Sequence, residues 1–191
     1  LYQTDLVPVG IDQAPHIEFT REVVRSFNFR YNSNALIEPD MKNTVIPKVL
    51  GIDGVNKMSK SLDNHIELAA TPEQTTKRVL QMVTDPQRQR RDDPGDPDVC
   101  NVFTMHKIFS SPEEIQMVNT ECRRAGIGCV DCKKLFAANL NANLEPFREK
   151  RSELDSKPDM VWNILHDGAK RARVLADETM KKVRAAIQLP E

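Results

Sequence analysis

Long apolar runs are missing from these 191 residues: none approaches the roughly 18 that a membrane-crossing helix needs. The opening stretch, Leu1 to Gly10, carries no basic segment and no cleavage pattern of an export signal. The expectation is therefore a cytoplasmic protein with no membrane partner. Net charge is lacking too, since 27 Lys plus Arg stand against 28 Asp plus Glu, leaving -1. A polyanionic partner must then be met by a local patch and not by the whole surface. Internal repeats and low-complexity tracts are absent, and the 7 Gly and 12 Pro sit at element ends, which fits one or two compact units. Cysteine is sparse, with four residues. In a reducing compartment such residues read as thiols or metal ligands before they read as disulfides. The start also lacks a Met and a helix cap, and it reads as a strand approach inside a domain, so a preceding half of the domain is expected to be missing.

Leu6 to Val9 is a short apolar run closed by Gly10, and Ala14-Pro15-His16-Ile17 begins a helical pattern with Ile17, Val24 and Phe27 on one face. Thr44 to Leu50, between Pro39 and Gly51, reads as a second extended piece. From Thr71 onward the pattern is helical. Thr71-Pro72-Glu73-Gln74 and Ser111-Pro112-Glu113-Glu114 each combine a cap, a Pro and a side chain able to reach back. Between them, Arg88 to Asp98 is charge, Pro and Gly, and must be loop. Asp131 is expected to cap a helix from Cys132 toward Leu154, kinked at Pro146. A shorter helix from Ser156 to His166 should break near Gly168. A last amphipathic helix, striped by Ala172, Leu175, Ala176, Met180, Val183 and Ile187, should dock on a larger body. The fold class read from this order is α/β plus all-α: the C-terminal part of a Rossmann-like nucleotide-binding domain joined to a mostly helical domain.

Two segments carry chemistry. Gly10-Ile11-Asp12-Gln13 follows a strand, where open α/β sheets bind ligands. Asp12 can accept from ribose hydroxyls, and the Gln13 amide suits a small zwitterion. The plainer reading is that Asp12 caps the following helix. His16 and Arg21 on that helix have no visible partner and read as surface or packing residues. Val55 to Asn64, VNKMSKSLDN, sets Lys57 and Lys60 around Ser59 downstream of Gly51 and Gly54. It is either a solvated lysine loop or a loop that grips phosphates. Two compact ammonium charges on a glycine-hinged segment suit a leaving triphosphate group, because nucleotidyl transfer needs cations aimed at the departing charge.

Lys57-Met58-Ser59-Lys60-Ser61 is the KMSKS signature, and the sequence resembles the class I aminoacyl-tRNA synthetases. Val7-Pro8-Val9-Gly10-Ile11-Asp12-Gln13-Ala14-Pro15-His16-Ile17-Glu18 is similar to the tryptophanyl type, as are Ile46-Pro47-Lys48 and Asp167-Gly168-Ala169. The tyrosyl type shares a Gly-x-Asp-Gln turn but usually has a second Gly where this chain has the Val-Pro-Val lead. A further alternative is an RNA-binding or regulatory chain that keeps the fold without the chemistry. The resemblance implies that Gly10 and Asp12 hold the ATP ribose, with Ile46 and Met58 against adenine. It also implies that Val7, Val9 and Gln13 bind L-tryptophan, and that Lys57, Ser59 and Lys60 hold the phosphates as pyrophosphate leaves. ATP, Mg²⁺, tRNA-Trp and a homodimer are the implied cofactors and partners. The implied domains are residues 1–55 of the nucleotide-binding part, the signature loop at 56–65, a helical domain at 66–157 that meets the anticodon, and returning helices at 158–191. No HIGH-type motif precedes the turn, so the 191 residues alone are expected to be inactive.

Cys129 and Cys132 are separated by two residues, Cys122 and Cys129 by six, and Cys100 and Cys122 by 21. One loop can present three such thiolates and a helix the fourth. Arg123, Arg124, Lys133 and Lys134 flank the group and should favour thiolates. The resemblance implies a four-iron four-sulfur (4Fe-4S) cluster. Zinc, a redox disulfide and free thiols are the alternatives. Arg88, Arg90, Arg91 and the four flanking cations are either phosphate contacts for RNA or a solvated face.

Overall fold

A computed structural model describes residues 1–43 and 49–189. Two compact units divide the chain, Leu1–Lys48 with Lys157–Glu191 in the first and Val49–Ser156 in the second.

In the first unit, β1 (Leu6–Val9) pairs in parallel with β2 (Asp40–Asn43), setting Leu6 beside Asp40 and Val9 beside Asn43. Parallel pairing needs a long crossover, and α1 (Ala14–Arg30) supplies it. Alternation half-buries Val7 and Val9 on one face of β1 and exposes Leu6 and Pro8. Pro15 sits in the first turn of α1, where its missing N–H leaves no bond unmade. The inward stripe of the helix runs Ile17, Arg21, Val24 and Phe27. Arg21 pairs with Glu38 at 2.8 Å and Asp40 at 3.1 Å, and Arg25 also pairs with Glu38. These ion pairs fix the approach to β2. The Arg25 guanidinium holds the Glu38 carboxyl below its ordinary range.

β2 lies earlier than the extended piece expected at Thr44 to Leu50, most of which falls outside the described residues. Asp40-Met41-Lys42-Asn43 has no apolar alternation, so its pairing to β1 comes from the α1 crossover and not from a hydrophobic pattern. A second departure concerns the last helices. The expected break near Gly168 does not occur, and α6 (Pro158–Ala186) runs unbroken through it. A helical glycine costs only about 1 kcal/mol against alanine, too little to interrupt a long helix with good formers on both sides. Ala172, Ala176, Met180, Val183 and Ile187 of the expected stripe face inward around buried Thr179, while Leu175 is half-exposed.

The second unit holds α2 (Pro72–Leu80), α3 (Asn101–Phe109), α4 (Pro112–Arg123) and α5 (Cys129–Asp155). Both expected capping boxes form, with Thr71 and Gln74 opening α2 and Ser111 and Glu114 opening α4. α5 packs on α2 and α3, and α3 on α4, around Val79, Met82, Val102, Phe103, Val118, Phe136 and Leu140. α5 begins three residues before the expected start: Gly128 is its cap residue, and Asp131 lies in the first turn without capping it. A carboxylate there still meets the positive end of the helix dipole. Pro146 stands inside this helix.

Candidate active site and cysteine cluster

Gly10 ends β1 in extended conformation and a single tight turn, Ile11–Gln13, leads into α1. The Gln13 amide donates to the Gly10 carbonyl at 2.9 Å, and Gln13 Nε2 donates to Asp12 Oδ2 at 3.2 Å. A Cβ on Gly10 would sit 2.7 Å from Asp12 Oδ1, so glycine is what lets that carboxylate lie against the backbone. The cap residue of α1 is Gln13, and no side-chain cap bond forms there. Asp12 stands one residue before that cap, in the tight turn itself. Asp12 and Gln13 are both exposed at the carboxyl end of β1, next to half-buried Val7 and Val9. Ile46 lies outside the described residues.

The signature loop is a hairpin in the second unit. Leu50 and Lys57 form an antiparallel bridge, Met58 N–H donates to the Val49 carbonyl at 3.1 Å, and Gly51 N–H donates to the Asn56 carbonyl at 2.9 Å. Gly54 turns the hairpin at φ +69°, a region that side chains rarely enter. Asp53 accepts from the Val55 and Asn56 amides and from the side chains of Asn56 and Asn64. The Asn64 side-chain bond, followed by that of the Val55 amide, holds its carboxyl down at about 2. Val49, Ile52, Met58 and Ile66 rest against the helical core and anchor the hairpin.

Ser59 accepts from Ser61 N–H at 3.3 Å, opening a tight turn over Lys60–Leu62, and Asp63 follows with φ +47°. Lys57 and Lys60 are exposed, and the Lys60 ammonium stands 3.9 Å from Glu67. A cleft of about 490 Å³ opens beside Lys60, lined by Met58, Ser59, Lys60, His65, Glu67 and Arg151 among others. Met58 is thus shared between this cleft and the core. Arg78 on α2 ties the far end of the loop, donating to the His65 carbonyl at 3.1 Å and to Asp63. Its anchoring role was invisible in the sequence, and so was that of Asn64. Lys57, Ser59 and Lys60 are brought together as expected of neighbours in one loop. Asp12 and Gln13 stand together in the other unit.

The four cysteines converge from three helices. Cys100 precedes α3, Cys122 ends α4, and Cys129 and Cys132 open α5. All four are free thiols. Burial raises the thiols of Cys100 and Cys122 and pushes Cys132 up to about 12, with the other three sulfurs adding repulsion at Cys132. Gly95 lies so close that a Cβ there would meet the Cys122 sulfur at 2.7 Å. Among the described residues, no three Cys, His, Asp or Glu side chains are gathered as ligands of one metal ion.

One cation beside the sulfurs is not among the flanking four. Arg88 Nη1 lies 3.8 Å from Cys122 Sγ, while its Nη2 donates to the carbonyls of Arg91 at 2.6 Å and Ile127 at 2.9 Å. Arg123 is engaged by Asp98 at 2.6 Å and Asp96 at 3.5 Å, Arg124 by Glu121, and Lys133 by the Leu80 carbonyl at 3.0 Å. Arg124 and Lys133 are thus held by other partners, whereas Arg123, though paired with Asp98 and Asp96, also interacts electrostatically with Cys122. Arg88, placed earlier in a phosphate-contact group, is a support of the cysteine loop. His106, fully buried, directs Nε2 at the Cys132 carbonyl and sulfur, 3.3 and 3.5 Å away.

Comparison with known proteins adds an independent observation. The profile of the tRNA synthetases class I (W and Y) matches residues 1–145. The tryptophan–tRNA ligase of Aquifex aeolicus is 41% identical over 191 residues, 100% of this chain and 48% of that protein. That of Thermotoga maritima is 43% identical over 190 residues, 99% of this chain and 57% of that protein. Among solved structures, the tryptophanyl-tRNA synthetase from Campylobacter jejuni complexed with ADP and tryptophan superposes with a TM-score of 0.79 at 32% identity. That match covers 98% of this chain and 58% of the other. The chain spans about half the length of the curated relatives it matches.

Proposed function

The chain belongs to the class I tRNA synthetases of the tryptophan and tyrosine group, and from that premise we propose that it is part of a tryptophan–tRNA ligase. In the reaction a tryptophan carboxylate oxygen attacks the α-phosphorus of ATP, and the bond to pyrophosphate breaks. The terminal ribose hydroxyl of tRNA-Trp then takes the acyl group and AMP leaves. The observation that carries this reading is the hairpin that presents Lys57 and Lys60 to solvent around a hydrogen-bonded Ser59. Their ammonium groups meet charge that grows on the departing pyrophosphate, which is where stabilisation lowers the barrier. Mg²⁺, when bound with ATP, supplies further neutralisation of the phosphates. Gly10 and Asp12 serve the ribose, and Gln13 the polar end of tryptophan. Val7 and Val9 are assigned to the wall of the indole site and Met58 to adenine; Ile46, assigned with Met58, is outside the described residues. The tryptophan reading is supported over the tyrosine one by the named relatives at 41 and 43% identity and by the Val-Pro-Val lead. A cytoplasmic homodimer that meets the anticodon through its helical part completes the reading. In domain terms it assigns 1–55 to the nucleotide-binding part, 56–65 to the signature loop, 66–157 to the helical domain and 158–191 to the returning helices.

Two polypeptides test it by tryptophan-dependent exchange of pyrophosphate into ATP. The 191-residue chain alone is expected to give background. The same residues preceded, in one polypeptide, by the amino-terminal half of the Thermotoga maritima relative are expected to exchange with tryptophan and not with tyrosine. Exchange driven by tyrosine, or no exchange from a chimera shown to be folded, rules the assignment out.

The cysteine group is assigned by the same reading to a 4Fe-4S cluster. What supports it is the spacing of Cys100, Cys122, Cys129 and Cys132 at three helix ends, with a glycine leaving room at Cys122 and an arginine beside the same sulfur. Zinc is the alternative ion for the same thiols. The cluster would stabilise the junction of α3, α4 and α5. Because burial keeps the thiols of Cys100, Cys122 and Cys132 protonated, loading must release protons, and uptake should strengthen as pH rises. Anaerobic reconstitution followed by absorbance near the iron–sulfur charge-transfer region is the check. A colourless protein that takes up no iron removes the cluster, and stoichiometric zinc would replace it.

A further inference from the structure

The signature loop has a pin that the sequence motif does not include. Asn64 is 3% exposed, and its carboxamide spans the hairpin. Oδ1 accepts from Ser59 N–H at 2.7 Å, while Nδ2 donates to the Lys57 carbonyl at 3.3 Å and to Asp53 Oδ2 at 2.9 Å. Its own carbonyl accepts from Ile52 N–H at 2.8 Å. The side chain therefore touches the backbone of one phosphate-gripping lysine and of the serine that precedes the other. Gly51 lies directly beneath it, so close that a Cβ there would meet Nδ2 at 2.2 Å. Asp53, which orients the Asn64 amide, is itself fixed by the Val55 and Asn56 amides at the hairpin tip. Donor and acceptor polarity is consistent along the chain Asp53, Asn64, Ser59: the carboxylate accepts from the amide, and the amide oxygen accepts from the backbone.

We propose that Asn64 is a positioning residue for adenylate formation, setting where the Lys57 and Lys60 ammonium groups stand by holding the backbone between them, with Asp53 as its orienting partner. This rests on the ligase reading above. Displacing reacting partners by about 1 Å can cost a hundredfold in rate even when no contacting group is lost. Asn64→Ala removes the pin. Asn64→Asp keeps its shape but sets a carboxylate against Asp53. The double variant Asp53→Asn/Asn64→Asp restores a donor facing an acceptor between the two side chains and keeps the acceptor for Ser59 N–H, but it does not restore the donor to the Lys57 carbonyl or the acceptor for the Asn56 side chain.

Two measurements test this. In the 191-residue chain, amide hydrogen exchange at Ser59 is expected to quicken at least tenfold in Asn64→Ala, with exchange in α5 unchanged. In the chimera, kcat of tryptophan-dependent pyrophosphate exchange is expected to fall roughly tenfold to a hundredfold in Asn64→Ala and Asn64→Asp. Tryptophan affinity should stay put, and the double variant should recover part of the loss relative to Asn64→Asp, the bond to the Lys57 carbonyl remaining absent. Unchanged Ser59 exchange overturns the pin. Faster exchange with undiminished kcat, or tryptophan affinity falling in step, overturns the positioning role. A parent chimera that is folded but inactive instead removes the ligase reading, and the exchange result still decides the pin.

Discussion

Lys57→Ala and Lys60→Ala are each expected to lower the rate of tryptophan activation by about 10² to 10³, in the chimera described above and at saturating ATP and tryptophan. Removal of one preorganised donor from developing charge costs about 2.7 to 4 kcal/mol of barrier. For Lys60→Ala nothing about the folded state should change with it. The Lys60 side chain is 84% exposed, and its approach to Glu67 is 3.9 Å; such surface pairs contribute at most about 1 kcal/mol. The melting temperature of that variant should therefore match the parent. Arginine is a poor replacement, because its flat, five-donor fork cannot occupy the place of a compact ammonium. Transfer of the tryptophanyl group from preformed adenylate to tRNA is the internal control: pyrophosphate has already left, and that step should stay within a few fold of normal. Loss of both steps together, or a decline of less than tenfold in activation, would falsify the assignment of these lysines to the leaving group.

How much of this was legible beforehand depends on the range of the interaction that fixed each feature. Capping boxes are closed within four residues, so Thr71 with Gln74 and Ser111 with Glu114 could be read from sequence and stand as read. The signature loop was legible as chemistry because its residues are contiguous. Its support was not: Arg78 reaches Asp63 and His65 from a helix 13 to 15 positions away, and Asn64 looked like any polar residue after a turn. Its burial at 3% is the signal, and a sequence does not carry it. The same holds for charge at the cysteines. Proximity along the chain favours Arg123 and Arg124; acidic side chains hold both, Arg123 still interacts with Cys122, and Arg88 arrives from 34 positions before Cys122. Strand β2 was missed because polar Asp40 to Asn43 pairs only through its crossover. The break expected at Gly168 does not form for the opposite reason, a local penalty too small to outweigh a long helix.

Truncating Phe136 to alanine is expected to destabilise the helical unit by about 3 to 5 kcal/mol, the range for emptying a buried aromatic site. Phe136 is fully buried near the start of α5, its ring edge-on to His106 at 5.3 Å and tilted against Phe109 at 6.2 Å. α3, which carries His106 and Phe109, meets α5 across this ring, so the cavity left by truncation opens at the contact between the two helices. The consequence should reach the thiols, since Phe136 stands one helical turn after Cys132, whose carbonyl and sulfur face the same histidine. Reaction of Cys132 with a thiol reagent, slow in the parent because the residue is 8% exposed, should become fast. Phe136→Leu, which keeps most of the volume, is expected to cost about 1 kcal/mol and to leave the thiol slow. Chemical denaturation gives the stability and reagent kinetics give the access. If alanine costs less than about 1 kcal/mol, the contact between α3 and α5 does not depend on this ring, and the support it lends to the cysteine pocket falls with it.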